Sequence, residues 1–158
     1  MIRPTTPADA VALTALAVAA GMFSKHETGV LDNMFVNYFG SNMNNGHVCI
    51  TDDEAGEPIG IAYYAPVSAT DRTWELIMIG VRPDYQGRGR GMALLWYVEQ
   101  ALKASGQRLL LVATSGLPSY VRTRSFYVKC GYEEEARIRD YYTTGEDMVM
   151  FRKVLNFG

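Results

Sequence analysis

Apolar side chains in the first forty residues recur at helical spacing. Leu13, Leu16, Ala17 and Ala20 lie three or four positions apart, and Thr6 and Pro7 with Asp9 ahead of them form a helix start. The hydroxyl is an N-cap, the proline lacks an N–H that would go unpaired there anyway, and the acid sits near the positive end of the helix dipole. A second helix is predicted from Thr28 to Phe39, with Leu31, Met34, Phe35 and Tyr38 along one side, before a turn cluster from Ser41 to Gly46. The period then changes. His47 to Thr51 and Ile59 to Ala65 read as two strands joined by the polar turn Asp52 to Glu57, and Thr73 to Val81 reads as a third.

After a glycine-rich stretch, Met92, Leu95, Trp96, Glu99 and Leu102 mark a helix that ends near Ser105 and Gly106. Leu109 to Ala113 is an apolar strand of the buried parallel type. Another helix is predicted from Pro118 to Lys129, stopped by Gly131, and two last strands, Tyr132 to Asp140 and Asp147 to Val154, flank the turn Thr143 to Gly145. Antiparallel hairpins combined with one strand-helix-strand crossover predict an α/β (α+β) sandwich with a mixed sheet.

With 158 residues, 48% hydrophobic, 20% charged and a net charge of −2, residues 1–158 read as one globular domain. A disordered chain and a basic nucleic-acid-coating protein are both excluded. Cys49 and Cys130 form no C-x-x-C pattern, so neither a disulfide framework nor a thiolate zinc site is indicated, and a reducing cytoplasm is the simplest compartment. His26 and His47, the two histidines, are too few for a His-ligated metal or a Ser-His-Asp triad, and they read as structural or surface residues; metal-free chemistry is expected. Ala10 to Phe23 is too short to span a bilayer and lacks a basic leader, so it reads as a buried amphipathic helix rather than a membrane or export segment.

The most informative stretch runs from Val81 to Met92, between a strand and a helix. Gly87, Gly89 and Gly91 in alternation let backbone N–H groups approach a ligand at a helix N-terminus, where donors and dipole together make an anion site, and Arg88 and Arg90 add charge. A Walker loop needs Gly-Lys-Ser/Thr, absent here, and a dinucleotide fingerprint needs a glycine where Met92 stands. No acid lies between Gln100 and Tyr132 to hold a ribose.

Gln86-Gly87-Arg88-Gly89-Arg90-Gly91 resembles the Q/R-x-x-G-x-G/A signature of the GCN5-related N-acetyltransferase (GNAT) superfamily, and Val81, Pro83 and Tyr85 match its usual lead-in. Phe126-Tyr127 with Gly131-Tyr132 resembles the family's F-Y-x-x-x-G-F/Y element, and the order of elements is similar over essentially the whole chain. The resemblance implies a mostly antiparallel mixed sheet with helices on both faces. It implies acetyl-CoA as co-substrate, its diphosphate held by Gln86, Gly87, Arg88, Gly89, Arg90, Gly91 and Met92 and its pantetheine paired with the backbone of Ile79, Gly80 and Val81. The side chains of Ile79 and Met92 have a plain alternative in core packing.

Transfer of acetyl from a thioester to an amine needs a neutral amine, a stabilised oxyanion and a protonated leaving thiolate. Glu75 is the one acid inside the apolar strand and lies eleven residues before Gln86, the offset of the catalytic glutamate in histone-type members, so it is the candidate base. Its alternative is a strand acid paired with an arginine such as Arg72. Tyr127 resembles the tyrosine that protonates the CoA thiolate; its alternative is a core tyrosine. Where many members carry a pantetheine-binding asparagine, this chain departs from the pattern with Tyr120, the residue the resemblance puts beside the pantetheine, and the strand before that helix lacks the glutamate of some peptide-N-terminus acetylating members. Cys130 has no neighbouring histidine to activate it and reads as a small buried hydrophobe, not an acetyl carrier.

Residues 82–130 hold eight Lys/Arg and two Asp/Glu, a net +6, leaving −8 for the remainder. The positive part is expected to hold CoA and the acidic part the acceptor. Asp140 beside Tyr141 and Tyr142 suits an ammonium through charge pairing and cation–π contact, so a cationic small amine or a lysine-like group is the expected acceptor, with no nucleic-acid or membrane partner. The resemblance also allows a homodimer. A non-catalytic acyl-CoA-binding module is the rival reading; it would keep the phosphate loop without the acid-base groups.

Overall fold

In the computed structural model, which describes residues 1–23 and 27–157, the strands are β1 (Ile2–Pro4), β2 (Val48–Glu54), β3 (Glu57–Pro66), β4 (Thr73–Val81), β5 (Leu109–Ser115), β6 (Glu133–Thr143) and β7 (Glu146–Val154). The helices are α1 (Ala10–Ala19), α2 (Thr28–Gly40), α3 (Arg90–Ala104) and α4 (Val121–Lys129). His26 lies outside the described residues. Among those described, the strands form one sheet in the order β1-β2-β3-β4-β5-β7-β6, parallel at β4–β5 and antiparallel at every other pairing.

Alternation along β3 divides the core between two helical layers. Ile61 and Tyr63 pack with Leu13, Leu16 and Ala17 of α1 and with Leu31, Phe35 and Tyr38 of α2. Ala62 and Tyr64 face the other way, toward Leu94, Leu95, Val98 and Leu102 of α3 and Tyr127 of α4. Helices therefore cover both faces of the mixed sheet.

Four local expectations are corrected. Val11 on α1 is 84% exposed, so that helix is apolar on its outer face as well as its inner one and is not amphipathic. On α3 the inward stripe is Leu94, Leu95, Val98 and Leu102, while Met92 and Trp96 are 51% and 62% exposed. The β2–β3 turn is not a six-residue polar loop: the strands run to Glu54 and Glu57, and Ala55 and Gly56 turn the chain with φ of 53° and 87°. Asp52 can stay in a strand because its buried carboxylate accepts from Arg90 Nε at 2.9 Å, and Asp53 because it accepts from Arg3 at 2.8 Å. The last strand pair is also longer than its apolar pattern, because every residue of β6 is exposed at the sheet edge.

Glu99, buried on α3, accepts from the Tyr132 hydroxyl at 2.8 Å and from Lys153 Nζ at 2.9 Å, joining α3 to β7. The equivalent tie at the start of the chain is Arg3, whose guanidinium donates to both Asp9 oxygens at 2.7 and 2.8 Å. Asp9 also accepts from the Thr6 N–H at 2.8 Å, which fixes the entry to α1.

The Arg3 hydrogen bonds hold the Asp9 carboxyl down to about 2, against a burial that pushes it up. Its folded value lies below its unfolded one, so the pair adds stability above pH ~4 that is lost as pH falls through ~2, on the order of 2 kcal/mol. Arg3→Met is expected to lower the unfolding free energy at neutral pH by at least that order and to flatten its decline between pH ~4 and ~2. Urea denaturation of both proteins across pH measures the difference.

Candidate active site

β4 and β5 begin as partners and separate. Their parallel pairing runs from Thr73 with Leu109 to Leu76 with Val112 and stops there, although β4 continues to Val81 and β5 to Ser115. The register of β4 against β3 slips between Tyr63 and Tyr64, which leaves Ile77 as the extra residue of a β-bulge. Beyond the bulge, Met78 to Val81 still pair with β3 but expose their other backbone edge to a V-shaped opening in the sheet. Gly80 lies against the Met22 side chain, which would have to move aside for a Cβ there. Ile79 and Val81 pack on the α3 side.

The glycine loop closes the wide end of this opening. Gly87 and Gly89 adopt φ of 73° and 76°, a left-handed conformation that side chains resist. Among the described residues, the backbone N–H groups of six consecutive residues, Gly87 to Met92, have no acceptor; the first bond of α3 is from Ala93 N–H to Gly89 O, and no side chain caps the helix. Such a run at a helix N-terminus suits a diphosphate. The Gln86 side chain is not part of that donor set, because Nε2 donates to Val81 O at 2.9 Å and pins the loop to the end of β4.

The loop arginines differ from their expected role. Arg90 pairs with Asp52 and, at 2.5 Å, with Glu54, and Arg82 pairs with Asp84 at 2.7 Å and Glu57 at 3.4 Å. Their charges are matched by carboxylates from the loop itself and the β2–β3 hairpin, so the +6 of residues 82–130 does not become a positive surface here. Arg88 forms no salt bridge among the described residues.

Tyr127 and Glu75 stand at the vertex of the V. Val112, in the last β4–β5 pair, is opposite Phe151 on β7, and the Tyr127 ring is 5.6 Å from that of Phe151. Burial holds the Tyr127 phenol well above its usual pKa. Its hydroxyl has no hydrogen-bond partner among the described residues, and since none of their fully buried side-chain oxygens lacks one, that oxygen is not wholly buried. Glu75, one residue before the vertex, leaves the sheet on the face opposite Leu76, the side covered by α1 and α2. It is half-buried and makes no ion pair among the described residues; Arg72 pairs with Asp71.

On the Glu75 side, the Tyr142 hydroxyl is raised in pKa by burial and then by Tyr141, Glu146, Tyr120 and Glu75, which places these groups in one electrostatic neighbourhood. Tyr141 and Tyr142 meet edge to face at 5.0 Å. Asp140 does not join them as a free carboxylate. Its Oδ1 accepts from the Gly145 N–H at 2.8 Å and its own N–H donates to Asp147, so it shapes the β6–β7 turn. Three features of the site had no signal in the sequence pattern: the Ile77 bulge, the Tyr85 ring packed among the loop arginines, and Arg124, which donates to Ser115 O and Leu117 O at 2.8 and 2.9 Å and anchors α4 to the end of β5. Cys130 is half-buried, its thiol pushed up by burial and by Glu99, which suits an inert residue.

Residues 16–132 match the Acetyltransferase (GNAT) family, and the chain belongs to it and is an acetyltransferase. A protein assigned to the GNAT acetyltransferases of Desulfovibrio desulfuricans superposes with a TM-score of 0.92 at 30% identity, covering 99% of each chain. The ribosomal-protein-S18-alanine N-acetyltransferase of Escherichia coli shares the fold, with a TM-score of 0.80, 23% identity and 100% and 95% of the two chains covered. So does an aminoglycoside 6'-N-acetyltransferase in complex with coenzyme A, with a TM-score of 0.78, 15% identity and 100% and 98% covered. No curated protein matches the chain.

A Cβ on Gly89 would meet nothing within 4 Å, so the fold has room there and the cost is confined to its φ of 76°. Gly89→Asp is expected to leave the far-UV circular dichroism unchanged and to weaken CoA binding by ~10²-fold or more, because it sets a negative charge among the free N–H groups. Isothermal titration with CoA measures this.

Proposed function

We propose that residues 1–158 act as one N-acetyltransferase domain that moves the acetyl group of acetyl-CoA to a primary amine by direct attack. The observation that carries this reading is the coincidence of the β4–β5 opening with six free N–H groups at its wide end and an uncommitted phenol at its vertex. The donors from Gly87 to Met92 fit the diphosphate, and the open edge of Ile79, Gly80 and Val81 fits the amide-bearing pantetheine arm. Acetyl-CoA, when bound, supplies the thioester.

This chain's own residues handle the protons. Glu75 Oε takes the proton of the amine, directly or through a water; among the described residues no cation is paired with it, Arg72 being held by Asp71. Tyr127 Oη carries its proton at neutral pH as phenols do and gives it to the departing sulfur; burial makes it a weaker acid, so the transfer follows the build-up of thiolate charge beside it. The acceptor enters near Glu75, where Tyr120, Tyr141, Tyr142 and Glu146 offer aromatic faces and negative charge to a cationic small amine or lysine-like group. Two free thiols suit a reducing cytoplasm. Among the described residues no helix is long and apolar enough to cross a membrane.

Tyr127→Phe is expected to leave the Kd for CoA nearly unchanged and to lower kcat by ~10²-fold, the usual cost of one lost general acid. Wild-type turnover would reduce Tyr127 to packing. For Glu75→Gln the rate loss should shrink as pH rises toward the amine's own pKa of about 10, because the acceptor then deprotonates unaided. A loss independent of pH, in stopped assays of thiol release, overturns the base assignment.

A further inference from the structure

One ring is shared by three guanidinium groups at the mouth of the opening. The carbons Cζ of Arg82, Arg88 and Arg90 lie 5.0, 5.1 and 5.7 Å from the centroid of the Tyr85 ring. Two of the three are held by carboxylates: Arg82 by Asp84 and Glu57, Arg90 by Asp52 and Glu54. Arg88 is exposed and forms no ion pair among the described residues; Asp84, which feels its charge, is already bound by Arg82. The Tyr85 face is therefore the contact that orders the one loop cation not neutralised by a carboxylate.

An unrestrained arginine on a glycine-flanked position has many rotamers, and an anion that recruits it must offset their loss. Stacking on Tyr85 reduces that loss before the ligand arrives. The ring can do so because it is fixed itself, half-buried against the α3-side core. From this geometry we infer that Tyr85 is a positioning residue for CoA binding: it preorganises the Arg88 guanidinium beside the free N–H groups of Gly87 to Met92. The inference rests on the loop holding the diphosphate. The long-range attraction for that anion then runs through one side chain, with the other two arginines serving to tie the loop to the β2–β3 hairpin.

The test is a double-mutant cycle on CoA binding, read by isothermal titration at two salt concentrations. Tyr85→Leu is expected to weaken CoA binding about three- to fivefold, the worth of an exposed cation–π contact, while Tyr85→Phe, which keeps the ring, retains wild-type affinity. Arg88→Ala should cost about tenfold and flatten the salt dependence, whereas Tyr85→Leu keeps the charge and therefore the slope. In the double variant the loss should equal that of Arg88→Ala alone, because the ring acts only through the arginine. Additive losses, or wild-type affinity in Tyr85→Leu, would overturn the inference with the loop reading intact. No CoA binding by the wild-type protein would overturn both.

Discussion

β4 can pair with β5 over only four residues, since the bulge at Ile77 turns its remaining length away and β5 stays locked to β7 along its whole course from Leu109 to Ser115. A sheet that separated like this in a protein without a ligand to fill the gap would leave backbone donors and acceptors unsatisfied at no benefit. Here the separation is what creates a site. The free edge of Ile77 to Val81 lies along one wall, the loop that follows β4 crosses the wide end, and α3 starts there with its first N–H groups without acceptors among the described residues. Ile77, on a central strand yet 50% exposed, marks the place where the sheet is open to solvent.

The electrostatics of this opening are quieter than its arginine content implies. Asp52 is nearly fully buried and Arg90 is largely covered, so their contact is a structural tie between α3 and β2, and removing either partner would strand a buried charge. Arg82 reaches Glu57 at the start of β3 at 3.4 Å, a contact on the exposed side of the loop with no buried charge. With Arg82 and Arg90 matched, the loop offers an anion the helix terminus and the Arg88 guanidinium. Backbone donors have no rotamers to lose and cannot be neutralised by a neighbouring carboxylate, which makes them the more dependable part of the site.

Much of this was readable from residue order. Thr73–Val81 has the bounds its apolar run predicts, and the glycine alternation marked the loop because left-handed φ at Gly87 and Gly89 is a local requirement. The misreadings share a cause, which is a partner distant in sequence. Asp52 to Glu54 look like a turn until Arg90 and Arg3 arrive to compensate them in a strand. Met92 and Trp96 look like core until Leu94 and Val98 take the sheet-facing side of α3. Asp140 looks like a free acid until the turn brings the Gly145 N–H to it. The bulge had no local signature, because it depends on how β3 and β4 meet across the sheet.

Two phenols in van der Waals reach of one another illustrate how the same fold separates structure from chemistry. The rings of Tyr127 and Tyr132 are 5.9 Å apart and both are buried, and burial raises the pKa of each. Tyr132 spends its hydroxyl on Glu99, a carboxylate that Lys153 also holds, so its proton is committed to a structural network between α3 and β7. Tyr127 has the same covering without the acceptor. A phenol kept neutral by its surroundings and left without a partner retains a proton that nothing else in the protein claims. That leaves Tyr127 at the vertex on the side of the sheet away from Glu75, two titratable groups on opposite faces of the same strand pair.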